Sequence, residues 1–163
     1  MYHFFMSFEN ITSHPYYFQT YWNDVFDTPL PWLNIFRCIY SSFCSTYLWA
    51  FQLKTFYKML PTRKMLKIWR MTEDNICRFC GDEEEDIMCL FWYCPVVSSF
   101  WQQVANWLSE QAILLPLSPL NIIWDYQDDK NMLLNIIVLL GKLYIFDSPK
   151  QLVLSSFILH LKH

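Results

Sequence analysis

From Thr46 onward the apolar positions recur at helical spacing. Leu48, Phe51, Thr55 and Met59 fall along one side of a stretch from Thr46 to about Leu60, which predicts a helix. Lys54 and Lys58, four apart, share a face of it. Pro61 stops that helix, and the Thr62 hydroxyl is placed to cap a second one, Arg63 to about Met71, by accepting a backbone N–H. Pro95 suits the first position of a further helix, along which Val97, Phe100, Trp101, Val104, Trp107 and Leu108 recur every three or four residues. Pro116 and Pro119 break the next stretch. Asp128 or Asp129 then caps a helix running to about Ile145, apolar nearly all round from Leu133 to Leu140, so it is buried on most sides or packs on a partner. A short helix, about Lys150 to Leu161, follows. The first thirty residues are aromatic and irregular, ending in Pro29-Leu30-Pro31. Strand signals are weak. The pattern predicts a mainly α fold.

Composition narrows this. A chain of 163 residues without internal repeats or low-complexity linkers reads as a single domain over residues 1–163. It is 54% hydrophobic and 20% aromatic with two glycines. That calls for a large aromatic core, or for an interface with the rest of a larger protein. No run of eighteen apolar residues exists, so no membrane span is expected. The opening MYHFFMSFEN lacks a basic segment before its apolar residues, so no secretory leader is expected. A cytoplasmic or nuclear compartment follows, where thiols stay reduced. Net charge is −3, but unevenly spread. Lys54, Lys58, Arg63, Lys64, Lys67, Arg70 and Arg78 stand against only Glu73 and Asp74, and then come five consecutive acids, Asp82 to Asp86.

Four of the six cysteines lie within CRFCGDEEEDIMCLFWYC, spaced Cys77-x2-Cys80-x8-Cys89-x4-Cys94. A Cys-x-x-Cys pair can direct two thiolates to one metal from a tight turn, and Gly81 permits the left-handed backbone just after it. With Cys89 and Cys94 the four sulfurs can close a tetrahedron around zinc, a step worth on the order of 10 kcal/mol or more of folding energy. The alternatives are buried free thiols packed as small hydrophobes, and redox chemistry, for which the surrounding βαβ pattern is absent. The expected architecture is therefore a small helical domain with an embedded zinc knuckle. Its zinc-binding core spans about residues 46–110, with a helical C-terminal extension over about 128–161.

The stretch from Phe51 to Trp101 resembles the reverse-transcriptase zinc-binding region found near the C-terminus of LINE-type non-LTR retrotransposon polyproteins. The resemblance rests on Leu60-Pro61-Thr62 after a basic stretch, on Cys77 and Cys80, on Cys89-Leu90-Phe91-Trp92-Tyr93-Cys94-Pro95, and on Phe100-Trp101. Weaker similarity extends over most of the chain. The family usually carries histidine where this chain has Cys89; a thiolate can replace an imidazole on zinc. The resemblance implies a non-catalytic fragment, lacking the upstream polymerase, that binds RNA or DNA (the element's own RNA) and pairs with a reverse transcriptase core.

The candidate phosphate contacts are Lys54, Lys58, Arg63, Lys64, Lys67 and Arg70, which otherwise form a solvated face. Trp69 and Phe79 could stack on bases, although core packing is the ordinary fate of Trp69, Phe91, Trp92, Phe100 and Trp101. Asp82 to Asp86 and an anionic zinc centre repel phosphate, so zinc would brace the basic face rather than touch the ligand. Tyr126-Gln127-Asp128-Asp129 imitates a polymerase tetrad, but it precedes a helix and reads as a cap. No Ser-His-Asp set or glycine-rich phosphate loop is present, so neither catalysis nor a small-molecule substrate is expected. Two further readings stay open: a structural module packing on a polymerase segment through the Leu133–Leu140 helix, and a mobile-element remnant without present function.

Overall fold

The computed structural model describes residues 17–41, 45–124 and 132–161, and these are mainly helical. The helices are α1 (Tyr17–Phe26), α2 (Trp32–Ser41), α3 (Thr46–Phe56), α4 (Arg63–Ile68), α5 (Pro95–Glu110), α6 (Pro119–Trp124), α7 (Met132–Asp147) and α8 (Leu154–His160), with a π-helical segment over Cys89–Tyr93 leading into α5. One antiparallel bridge joins Ile76 to Glu84.

Helix α5 follows the apolar stripe. Pro95 sits in its first turn, and Val97, Phe100, Trp101, Val104 and Leu108 are buried. Helix α7 carries the most apolar surface and uses it inside the chain. Leu134, Ile137, Val138 and Leu139 are buried, while Met132 and Leu133 remain exposed. Where α7 crosses α5 the approach is close enough that a Cβ on Gly141 would meet the Trp101 ring at 2.5 Å. Asn135 and Lys142 of α7 are also interior. Lys142 Nζ donates to Gln52 Oε1 (2.7 Å) and the Ile123 carbonyl (3.1 Å), joining α3, α6 and α7 through hydrogen bonds that a buried ammonium requires.

The region before Pro31 is not irregular throughout. Helix α1 inserts Phe18 and Trp22 into an aromatic cluster with Trp32, Phe56 and Trp124, and Trp22 Nε1 donates to the Phe56 carbonyl at 3.0 Å. Tertiary packing outweighs the weak local signal of these rings. Likewise Pro119 starts a helix instead of only breaking one: Ser118 Oγ accepts the Asn121 amide (3.1 Å), and proline at the first helical position lacks only an N–H that has no helical partner. Helix α8 starts at Leu154 instead of Lys150. The cap expected at Asp128 or Asp129 lies outside the described residues.

Helices α3 and α4 end at Phe56 and Ile68, earlier than about Leu60 and Met71. In each the chain closes with paired bonds: Lys58 N to Thr55 O with Met59 N to Lys54 O, and Arg70 N to Lys67 O with Met71 N to Leu66 O. This termination demands a left-handed residue, and Lys58 (φ 58°) and Arg70 (φ 59°) supply it; Asp27 and Ala112 do the same after α1 and α5. Glycine is the usual occupant, so each side chain there carries a steric penalty of roughly 1–2 kcal/mol. Ala112 is exposed, so its methyl group has little packing to lose. Ala112→Gly should therefore stabilise the protein by about 1 kcal/mol, read as a raised urea midpoint at constant slope. A lowered midpoint would contradict the strain.

Candidate metal centre

Residues 75–85 form a short hairpin. Cys77 N donates to Glu83 O (2.7 Å) and Glu85 N to Asn75 O (2.8 Å), on either side of the Ile76–Glu84 bridge. Its loop holds Cys80, and Gly81, at φ 76°, turns the chain so that its amide donates to the Cys77 carbonyl at 2.9 Å. Cys94 comes from the other side, at the entry to α5. Asp86 caps the intervening turn, its Oδ1 accepting the Cys89 amide at 2.8 Å, and Cys94 N closes the π-helical segment onto Cys89 O at 3.2 Å.

The Sγ atoms of Cys77, Cys80 and Cys94 all lie within 4.8 Å of one another, and this group could hold a metal ion. Cys77 and Cys94 are 3.9 Å apart, far beyond the ~2.05 Å of a disulfide. That separation is close to the ~3.8 Å edge of a tetrahedron with Zn–S bonds of about 2.3 Å, so the donor set fits such an ion. Cys89 is buried with its thiol against that of Cys77, but it is not one of the three that converge.

Burial pushes the Cys89 thiol far up, reinforced by Cys77, and burial likewise pushes Cys94 up to about 11 against the pull of the Val97 and Val96 amides. For Cys80 burial is outweighed by the amides of Asp82 and Glu83 and by the neighbouring thiols, so it ionises below the ordinary thiol range. The loop thus offers N–H donors to the Cys80 sulfur, while burial disfavours ionisation of Cys89 and Cys94.

The acidic run is a working part of this hairpin. Glu85 is fully buried, and its carboxylate accepts four hydrogen bonds: Oε1 from Arg63 N (3.0 Å) and an Arg78 terminal nitrogen (2.7 Å), Oε2 from Arg78 N (3.0 Å) and Arg78 Nε (2.9 Å). The Glu85 carbonyl accepts Lys64 N (3.2 Å), and Thr62 Oγ1 accepts Met65 N (3.4 Å), so the expected Thr62 cap forms and each of the first three amides of α4 has a partner. Arg78 also donates to the Phe146 carbonyl in the last turn of α7 (3.1 Å). Sequence reasoning missed Glu85. Its run of acids gives no local sign of which one turns inward. Asp86 was missed as well, although an acid three residues before a helical amide is a capping pattern that could have marked it.

The basic residues do not form one face. Lys58, in the left-handed position after α3, leaves the helix and stands 3.3 Å from the Tyr21 ring centroid, lining a cleft with Lys64, Met65 and Ile68. Lys54 lines a different cleft with Tyr47, Phe51 and Phe146. The shared face expected from their spacing is therefore corrected: the helix ends between them. Arg63 pairs with Asp74 (3.1 Å), Lys64 with Glu84, and Lys67 bonds the neutral Asn75 (3.2 Å). Arg70 is exposed, with no acidic partner among the described residues. Phe91, Phe100 and Trp101 are buried as expected, but Trp69 is 46% exposed and Phe79 is half-buried against the core.

No family model matches the chain, and no curated protein matches it. Among the described residues no helix is long and apolar enough to cross a membrane. The fold and site define a mainly helical domain with a three-cysteine cluster that could hold a metal ion.

Although burial alone raises the Glu85 carboxyl, the hydrogen bonds of Arg78 and Arg63 hold it below the usual carboxylate range. Its folded pKa is depressed, so its stabilisation is present above the unfolded value of about 4.3 and disappears as pH falls through the folded one. Glu85→Ala, which strands the Arg78 guanidinium and the Arg63 amide, should cost about 3–5 kcal/mol. The half-exposed Glu84→Gln should cost no more than about 1 kcal/mol. Denaturation of both at neutral pH checks this, and equal losses would refute the assignment.

Proposed function

We propose that the chain is a non-catalytic, zinc-braced module that binds RNA, an accessory of the reverse-transcriptase type that the cysteine and Leu-Pro-Thr motifs resemble. The observation that carries the reading is the end of α4. This helix has no buried residue, and it runs out through Lys67-Ile68-Trp69-Arg70-Met71, all exposed. An accessible indole between two cations, neither bound to an acid among the described residues, offers stacking and phosphate neutralisation together, which suits a single strand. The cysteine hairpin supports this tip from behind through Glu85 and Lys67–Asn75. Packing on a partner through α7 finds less support, because most of that helix's apolar surface is buried within the chain.

In this reading zinc sits on Cys77, Cys80 and Cys94, with Cys89 as the fourth ligand. A thiol is shorter than an imidazole, which accounts for Cys89 standing beside the three that converge. Elemental analysis should find about one zinc per chain, lost in Cys77→Ser, and Cys89→His should hold zinc at least as tightly in a chelator competition. A folded chain without zinc would leave buried free thiols as the answer.

For RNA, anisotropy of a labelled single strand should show binding that weakens steeply with salt. Trp69→Ala should cost about 1–3 kcal/mol of affinity, and Lys67→Ala or Arg70→Ala should each flatten the log–log salt slope by about 0.7. Slopes unchanged in both lysine and arginine variants would remove the nucleic-acid reading.

A further inference from the structure

The acidic strand that follows the cysteine loop lies against the basic helix next to it. Glu84 holds Lys64 through a direct ion pair and also accepts from Asn75, the residue that bonds Lys67. Asp74, just before the same hairpin, holds Arg63 while accepting the Ile76 amide at 3.2 Å. Two of the four cations on and just after α4 are thus already paired, each with a carboxylate that also accepts a hydrogen bond from the hairpin, Glu84 from the Asn75 side chain and Asp74 from the Ile76 amide. Lys64 and Glu84 hold each other charged: the Glu84 carboxylate raises the lysine, and the ammonium lowers the carboxyl.

We propose that Glu84 and Asp74 form a built-in clasp that competes with nucleic-acid phosphates for Lys64 and Arg63, and so confines tight binding to the Trp69 tip. The inference rests on the RNA-binding reading and names its regulation. Both carboxylates are partly exposed, so each pair is weak and open to exchange. A polyanion that reaches Lys64 must displace Glu84, or bind with that lysine's charge already offset. The chain therefore releases fewer counterions than its count of basic residues implies. A strand that also stacks on Trp69 tolerates this handicap, whereas one bound by charge alone is penalised.

The test is the salt dependence of single-stranded RNA binding by the intact zinc-loaded protein, its Glu84→Gln variant, and Glu83→Gln as control. The control makes the same change in net charge on the same strand, at a side chain that pairs with no cation among the described residues. Releasing one lysine should steepen the log–log slope by about 0.7 and tighten binding about fivefold at 0.1 M salt, in Glu84→Gln alone. Glutamine keeps the size of the side chain and its bond to Asn75, and circular dichroism of the variant verifies its fold. Wild-type binding with equal slopes in all three proteins would overturn the clasp and leave the RNA reading standing. Equal steepening in both variants would assign the effect to bulk charge and also overturn it. Absence of binding by all three would overturn the RNA reading, and the clasp with it.

Discussion

The carboxylate of Glu85 is the buried link among the cysteine hairpin, α4 and α7. It receives the first amide of α4 and three donors from Arg78, and Arg78 in turn reaches the last turn of α7. An ion pair removed from water is expensive, and its attraction repays the desolvation only where every remaining lone pair and proton is satisfied. Here four donors meet four acceptor sites, and the guanidinium gains a carbonyl as well. The pair sets where the hairpin stands relative to α4. The hairpin then sets where Cys77 and Cys80 face Cys94.

The same arrangement changes the meaning of the charge pattern. As a string of letters, a basic stretch followed by five acids reads as two opposed patches. In the folded chain the acids are divided among separate tasks. Glu85 is the buried anchor, Asp86 caps the turn into Cys89, and Glu84 neutralises Lys64. Of the cations on and just after α4, those left without an acidic partner among the described residues are Lys67 and Arg70, beside an exposed tryptophan. The repulsion expected between acids and phosphate is accordingly local, exerted at Lys64 and Arg63 more than at Arg70.

How much of this could be read beforehand depended on whether the deciding interaction was local. The Thr62 cap, the proline start of α5 and its buried stripe were legible, because each is set by neighbours within a few positions. The three converging cysteines were legible from spacing; that Cys89 stands beside them was not. Helix α1 escaped because its evidence is Trp22 against Trp124 and Phe56, contacts far away in sequence. The separation of Lys54 from Lys58 escaped because a left-handed lysine is uncommon, and a chain with two glycines must end helices on other residues. Trp69 was misplaced for the opposite reason: aromatic residues are usually interior, and nothing local marks this one as uncovered.

By its spacing alone the cysteine segment reads as a stretch that only a metal orders, but its surroundings argue otherwise. Leu90 and Phe91, between the last two cysteines, are fully buried, and Trp101 Nε1 donates to the Phe91 carbonyl at 2.9 Å. Cys94 is fastened to the start of α5 by the Ser98 amide on its carbonyl at 2.8 Å. On the other side, Arg78 ties the hairpin to α7. Three of the four cysteines are themselves buried. The helical core therefore carries the thiols to their positions, and an ion bound there would tighten the Cys80–Gly81 loop more than it would create the fold. With causes in that order, the loss of an ion bound there would be felt first at the hairpin, where α4 takes its first hydrogen bonds.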